Sequence, residues 1–274
     1  MKHTLLLLSF FCLSIYSGSA QTYEEFISKS YDYLEQEDYL SAEESLRAAM
    51  RLEPANPHNY ALLTNLGTIQ RRQGKKEEAI LSYTAALSRQ SSNVMILENR
   101  ASLYAEMGET EKALNDYTTL LLTDPINEEA LYARGLLYLQ SRNFLWAEQD
   151  FDQILEINEK SVRARVGHAV LEKMRENYEE SERIYNYLIS ERPRDWSLYE
   201  GRADLYFMMN KNGRAMADLN RVFAETTPTA ALYVLRAKIK LAQYEREAAI
   251  KDLKQAQQMG YDQEIIDELM RLAK

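Results

Sequence analysis

Four arginines, Arg100, Arg134, Arg202 and Arg236, are each followed sixteen residues later by an aspartate: Asp116, Asp150, Asp218 and Asp252. Two chemistries fit such a set. A ladder of free guanidiniums would hold an anionic partner, whereas a guanidinium facing a carboxylate would cancel its charge inside the fold. Three other positions of the same 34-residue series hold Lys29, Leu66 and His168, and sixteen residues beyond them stand Ser45, Ser82 and Ile184. Arginine and aspartate come and go together, Lys29 being a cation without the acid. An unpaired buried charge is costly. The spacing therefore predicts structural ion pairs, within a repeat or bridging adjacent ones, and not an anion ladder.

Other candidate chemistry fails on spacing. Beyond residue 20 the only histidines are His58 and His168, and neither has a partner at metal-ligand spacing. The stretch "GTIQRRQGKK" suggests a phosphate loop, but Ile69 stands where the first glycine is required and Lys76 where a magnesium-binding Ser or Thr is required. Gly74 then reads as an inter-helix turn, and Arg71, Arg72, Lys75 and Lys76 as a solvated helix end. The glutamates are spread without an evident opposed pair. No enzyme activity, cofactor or metal is expected.

The elements that place these residues are helical. With 46% hydrophobic and 27% charged residues, the 274-residue chain has a folded protein's composition. Its start, "MKHTLLLLSFFCLSIYSGSA", joins a basic residue, an apolar run and small residues, and predicts a signal peptide over 1–20 cleaved before Gln21. Phe11 precedes Cys12 in mid-run, which excludes a lipid attachment site. The rest of the chain has no cysteine and no Asn-x-Ser/Thr acceptor, so export to a bacterial periplasm or cell envelope is expected. Losing one lysine and no acid takes the net charge from −9 to −10. That balance argues against nucleic acid as a partner, and no later run is apolar for long enough to span a bilayer.

A period of 34 residues organises everything after the leader. Ala42, Ala79, Ala113, Ala147, Ser181, Ala215 and Ala249 form a small column, and four residues on stand Leu46, Tyr83, Tyr117, Phe151, Tyr185, Leu219 and Leu253. Twelve residues earlier a second small column runs Ser30, Gly67, Ala101, Gly135, Ala169, Ala203 and Ala237. Pro54, Pro125, Pro193 and Pro228 close four of the units. Each unit reads as two helices joined by a tight polar turn, small residues allowing close approach and large ones filling the space between units.

This pattern resembles the tetratricopeptide repeat family, with "VMILENRASLYAEMGETEKALNDYTTLLLTDPIN" the closest copy. The resemblance covers seven repeats at 23–56, 60–93, 94–127, 128–161, 162–195, 196–229 and 230–263, with an insertion at 57–59. Gln70, Glu172 and Lys240 depart where a Tyr is usual, and Arg165 where a large apolar residue is usual. The implied fold is all-α, a right-handed α-solenoid of helix–turn–helix units. A C-terminal capping helix over 264–274 is expected to cover the last repeat with Ile265, Ile266, Leu269 and Leu272, while its acids and Lys274 face water. No Gly/Ser/Pro-rich linker divides the repeats, which predicts one elongated domain.

The resemblance further implies a concave groove lined by the first helices. Carried onto this chain, its carboxyl half takes Tyr132, Leu136 and Leu139 from repeat 4, and Val166, Val170, Lys173 and Met174 from repeat 5. Repeat 6 adds Glu200, Asp204, Phe207 and Met208, and repeat 7 adds Val234 and Leu241. Apolar and aromatic residues at such positions suit a protein or peptide partner. Asn65 and Asn99 match part of the family's carboxylate clamp, but Glu129 and Ala133 stand where its Lys and Arg belong, so that function is not expected. The sequence thus predicts an exported scaffold for protein–protein interaction. Its alternatives are a self-associating structural envelope protein, or an accessory that takes a glycan or lipid in the groove.

Overall fold

A computed structural model describes residues 21–273; the expected leader with Cys12, and Lys274, lie outside the described residues. The described residues form fifteen helices and no strand, in two compact units, one ending at Ser91 and the other beginning at Ser92. The first unit holds α1 (Tyr23–Glu35), α2 (Tyr39–Leu52), α3 (Asn59–Arg72) and α4 (Lys76–Leu87). The second holds α5 (Val94–Glu106), α6 (Thr110–Thr123), α7 (Glu128–Gln140), α8 (Phe144–Ile157), α9 (Val162–Met174) and α10 (Tyr178–Glu191). It continues with α11 (Trp196–Met208), α12 (Asn212–Glu225), α13 (Ala230–Ala242), α14 (Arg246–Gln258) and α15 (Gln263–Leu272). First helices begin at the residue that opens each repeat in the sequence, except α3, which begins one residue earlier.

Local chemistry sets the ends. Thr22 and Glu25 form a capping box on α1, and Asn93, Asn127, Ser161 and Thr229 each accept a backbone N–H from the first turn of the helix they precede. Helices α2, α6 and α10 stop two residues before Pro54, Pro125 and Pro193, since the residue ahead of a proline is driven out of helical geometry. The turn inside each repeat passes through one left-handed residue at the same repeat position. Gly74 and Gly108 supply it in repeats 2 and 3; Glu37, Arg142, Glu176, Asn210 and Tyr244 do so elsewhere with φ of 55–66°.

The two small columns and the large column meet in the core. Gly67 faces Tyr83, and Gly135 faces Phe151, so closely that an added Cβ would lie 2.7 and 2.6 Å from the ring. Ser181, the odd member of its column, stays buried by donating its hydroxyl to Ala169 O at 2.7 Å. Helix α15 closes the second unit with Ile266 and Leu269, which join Val234, Ala249 and Leu253 in one buried cluster. Ile265 and Leu272 instead point outward, Leu272 being 64% exposed. The helical period explains this correction. Residues 266, 269, 270 and 273 share one stripe, and 265 and 272 lie on its flank.

Candidate functional site

The recurring arginines form two-pronged contacts across each helix pair. Nε and Nη2 of Arg100 donate to Asp116 at 2.7 and 2.8 Å, and those of Arg134 to Asp150 at 3.0 and 2.7 Å. Arg202 reaches Asp218 at 2.8 Å through both nitrogens, and Arg236 reaches Asp252 at 2.8 and 2.6 Å. The aspartate side chains are only 3–5% exposed, and the arginines 13–19%. Two arginines also reach the preceding repeat, Arg134 to Thr118 Oγ1 at 3.2 Å and Arg202 to Asn186 Oδ1 at 2.6 Å. Burial works against the charges of Arg100, Arg134 and Arg202, but their aspartates outweigh it and hold each guanidinium protonated beyond its ordinary range. Asp150 goes the other way, lifted by burial against the pull of Arg134. Lys240, one of the departures from the repeat pattern, is a second cation on Asp252 at 2.7 Å.

Where the series breaks, the repeats improvise. In repeat 2 Gln70 bonds Ser82 at 2.6 Å, and beside them Glu43 is bound by Arg47 and Lys75. Burial pushes the Glu43 carboxyl up, yet Arg47 and Lys75 hold it below its usual range. Lys75 is thereby taken out of the basic cluster read from the sequence. In repeat 5 His168 lies edge-on to Phe151, and its Nε2 is 3.0 Å from Asp152 Oδ1. His58 is exposed just before α3. Among the described residues no group of His, Cys, Asp and Glu side chains could hold a metal ion.

The first helices of the second unit succeed one another, α5 touching α7, α7 touching α9, α9 touching α11, and α11 touching α13. Side chains bridge them on one face. Lys173 pairs with Asp204 from α9 to α11, and Arg163 pairs with Glu129 from α9 to α7 while lying 5.1 Å over the Tyr132 ring. Leu136 and Met208 are apolar and exposed there, at 39% and 45%. Val166, Val170, Met174, Phe207 and Leu241 are half-buried. Tyr132 is half-buried against Phe151, 5.9 Å between ring centres, and burial lifts its hydroxyl above its ordinary range. Burial also raises the Glu200 carboxyl, with Asp195 adding repulsion.

Two residues assigned to the groove belong to the core instead. Leu139 and Val234 are 3% and 2% exposed. Val234 lies in the cluster that α15 completes, since the last helix takes the place a further first helix would occupy.

Other contacts left no mark in the column pattern. Glu182 on α10 accepts from Tyr206, Lys211 and Arg214, each at 3.0 Å, and so joins α10 to α11 and α12. Arg175 clasps Glu148 and Glu172 across α8 and α9. Only a helix-by-helix register could have placed these charges together, because their sequence separations vary.

Residues 28–94 and 99–162 match the tetratricopeptide repeat family model. Curated proteins provide no match. A crystal structure of a tetratricopeptide repeat protein from Parabacteroides merdae is 71% identical, over 93% of this chain and 99% of its own, with a TM-score of 0.90. The type IV pilus biogenesis factor PilW is 18% identical over 77% of this chain and 98% of its own, at a TM-score of 0.61. A chain of the APC/C hetero-tetramer Cut9–Hcn1 is 14% identical over 92% and 52%, at 0.63. The likeness to these last two extends to the fold alone.

Proposed function

The chain belongs to the tetratricopeptide repeat family, and from that premise we propose that it is an exported scaffold binding a protein partner on the first-helix face of repeats 4–7. The observation that carries the reading is the exposure of Leu136 and Met208 on a face otherwise walled by half-buried apolar side chains. Fully burying an exposed side chain of this kind is worth about 1.5–3 kcal/mol; Leu136 and Met208, already partly covered, each contribute less and act as anchors within a larger contact. The Lys173–Asp204 and Arg163–Glu129 pairs supply the polar rim that orients a partner segment. Family membership makes a scaffold role the general expectation and leaves the partner to be found. Export rests on the basic start, apolar run and small-residue end of residues 1–20; the absence of cysteine beyond them supports a periplasmic or envelope location. No described helix is long and apolar enough to cross a membrane.

Affinity capture from a native envelope extract tests this, with residues 21–274 as bait beside a Leu136→Ser, Met208→Ser variant of unchanged helical content. These two residues are chosen because Tyr132 helps to pack Phe151 and its loss would damage the core. A protein retained by the first bait and lost by the second supports the site. Equal retention by both would refute it and move binding to the second helices. A second reading, self-association, draws on Leu122, Leu145 and Trp146, which are exposed on α6 and α8. Sedimentation that shifts with concentration would favour it.

A further inference from the structure

Repeat 5 departs from its neighbours where Arg165 occupies the fourth position of the unit. Repeats 3, 4, 6 and 7 place Leu97, Leu131, Tyr199 and Tyr233 there, the first three of them buried. A guanidinium therefore enters a place that the fold otherwise fills with an apolar side chain. The second unit has six half-buried arginines. Arg100, Arg134, Arg175, Arg202 and Arg236 each face a carboxylate, whereas Arg165 faces none among the described residues. Its Nη2 donates to Glu159 O at 2.9 Å, and its guanidinium carbon lies 5.3 Å from the centre of the Tyr187 ring. Two of the nearby acids are already engaged, Glu172 by Arg175 and Glu180 by Arg183.

Around Arg165 the start of α9 and the end of α10 enclose a recess of about 170 Å³, lined by Lys160, Tyr187 and Arg192, with Glu191 the single acid. Its walls carry three cations and one anion in a chain whose net charge is −9. A recess of this size admits several waters, or a compact polar group in their place. Repeat 6 holds the same aromatic and cationic pair in reverse, with Arg221 5.6 Å over Tyr199. There the ring is buried and the arginine is on the surface; in repeat 5 the ring is outside and the guanidinium inside. The exchange leaves a guanidinium bordering a cavity instead of a closed contact.

We propose that Lys160, Arg165 and Arg192 form a second binding site, separate from the first-helix face, for a compact oxyanion: a carboxylate or a phosphate group. Arg165 supplies directional donors, Lys160 and Arg192 supply charge, and the exposed edge of Tyr187 borders whatever carries the anion. The test follows the backbone amides of residues 162–165 by NMR in the chain from Gln21. Inorganic phosphate, N-acetylglycine and N-acetylglycinamide are titrated separately at constant ionic strength. The expected result is a saturable shift with phosphate, with N-acetylglycine, or with both, and none with the amide. Which anion saturates identifies the source of the group. Arg165→Leu, which restores the residue of repeats 3 and 4, is expected to weaken binding on the order of tenfold or more. Lys160→Gln with Arg192→Gln, both at exposed positions, gives a second variant should the first fail to fold. A shift that stays linear with every anion overturns the site, as does a saturable shift that persists unchanged in the variants.

Discussion

The pairing of Arg134 with Asp150 makes a quantitative claim that a double-mutant cycle can break. In Asp150→Ala the guanidinium keeps its Thr118 contact and is 17% exposed, so water can reach it. The loss belongs at the low end of the range for a broken buried pair, about 3 kcal/mol. In Arg134→Met the carboxylate remains, 4% exposed and without its cation. Its relief is to take a proton. From an ordinary value of 3.8, staying protonated at pH 7 costs at most about 4 kcal/mol, at ~1.4 per pH unit. The low end of the range for a broken buried pair, about 3 kcal/mol, lies beneath that ceiling, and burial already favours the protonated form. The double variant buries no charge and loses mainly packing, about 2–3 kcal/mol. The coupling is therefore about 3–4 kcal/mol. Urea unfolding in a Trp196→Phe background reads it locally, because Trp146 lies in the same repeat, 6.3 Å from Tyr138. The penalty of Arg134→Met is also expected to shrink as pH falls, since the raised carboxyl of the lone Asp150 binds its proton more readily when folded. A coupling below about 0.5 kcal/mol, or a penalty independent of pH, would show that each ion is solvated by itself and refute the structural role.

Gly167→Ala places a methyl within 2.7–2.8 Å of three Phe151 ring atoms, and Gly135 blocks the ring from α7. Overpacking of about 1–3 kcal/mol is expected to exceed the helix-propensity gain of about 1 kcal/mol. Gly213→Ala, with nothing within 4 Å, should show only the gain when both melts are compared. Glu182→Gln tests the junction of α10, α11 and α12 through pH. Burial pushes this carboxyl up, but Lys211, Tyr206 and Arg214 hold it below its ordinary value of 4.5. Its stabilisation is present above that value and is lost as pH falls through the lower folded one. Melting temperatures of parent and variant should diverge above pH 5 and converge in acid; a constant gap would contradict the assignment.

The sequence carried the repeat because a repeat's rules are local. Ala147 must be small for its helix to approach its neighbour, Phe151 must fill the space this leaves, and Pro125 must stop a helix wherever it falls. The Arg–Asp columns were legible for a related reason, since a buried guanidinium demands its carboxylate at a constant offset within the same helix pair. The left-handed turn residues were hidden. Only Gly74 and Gly108 advertise that geometry, while Glu176 and Tyr244 accept it under the constraint of packed flanking helices. Burial between helices far apart in the chain was also beyond reach. Whether Val234 lines a face or lies under α15, and whether Ile266 or Ile265 turns inward, depends on how each helix is rotated about its axis against its neighbour. The same holds for Glu182, whose three partners come from α11, the turn after it and α12 at unequal separations. Sequence by itself determined the period, the helix pairs and the charges that must cancel within each pair. Tertiary structure alone decided which apolar residues stay in water and which arginine is left facing a cavity, because both follow from the packing angle between one repeat and the next.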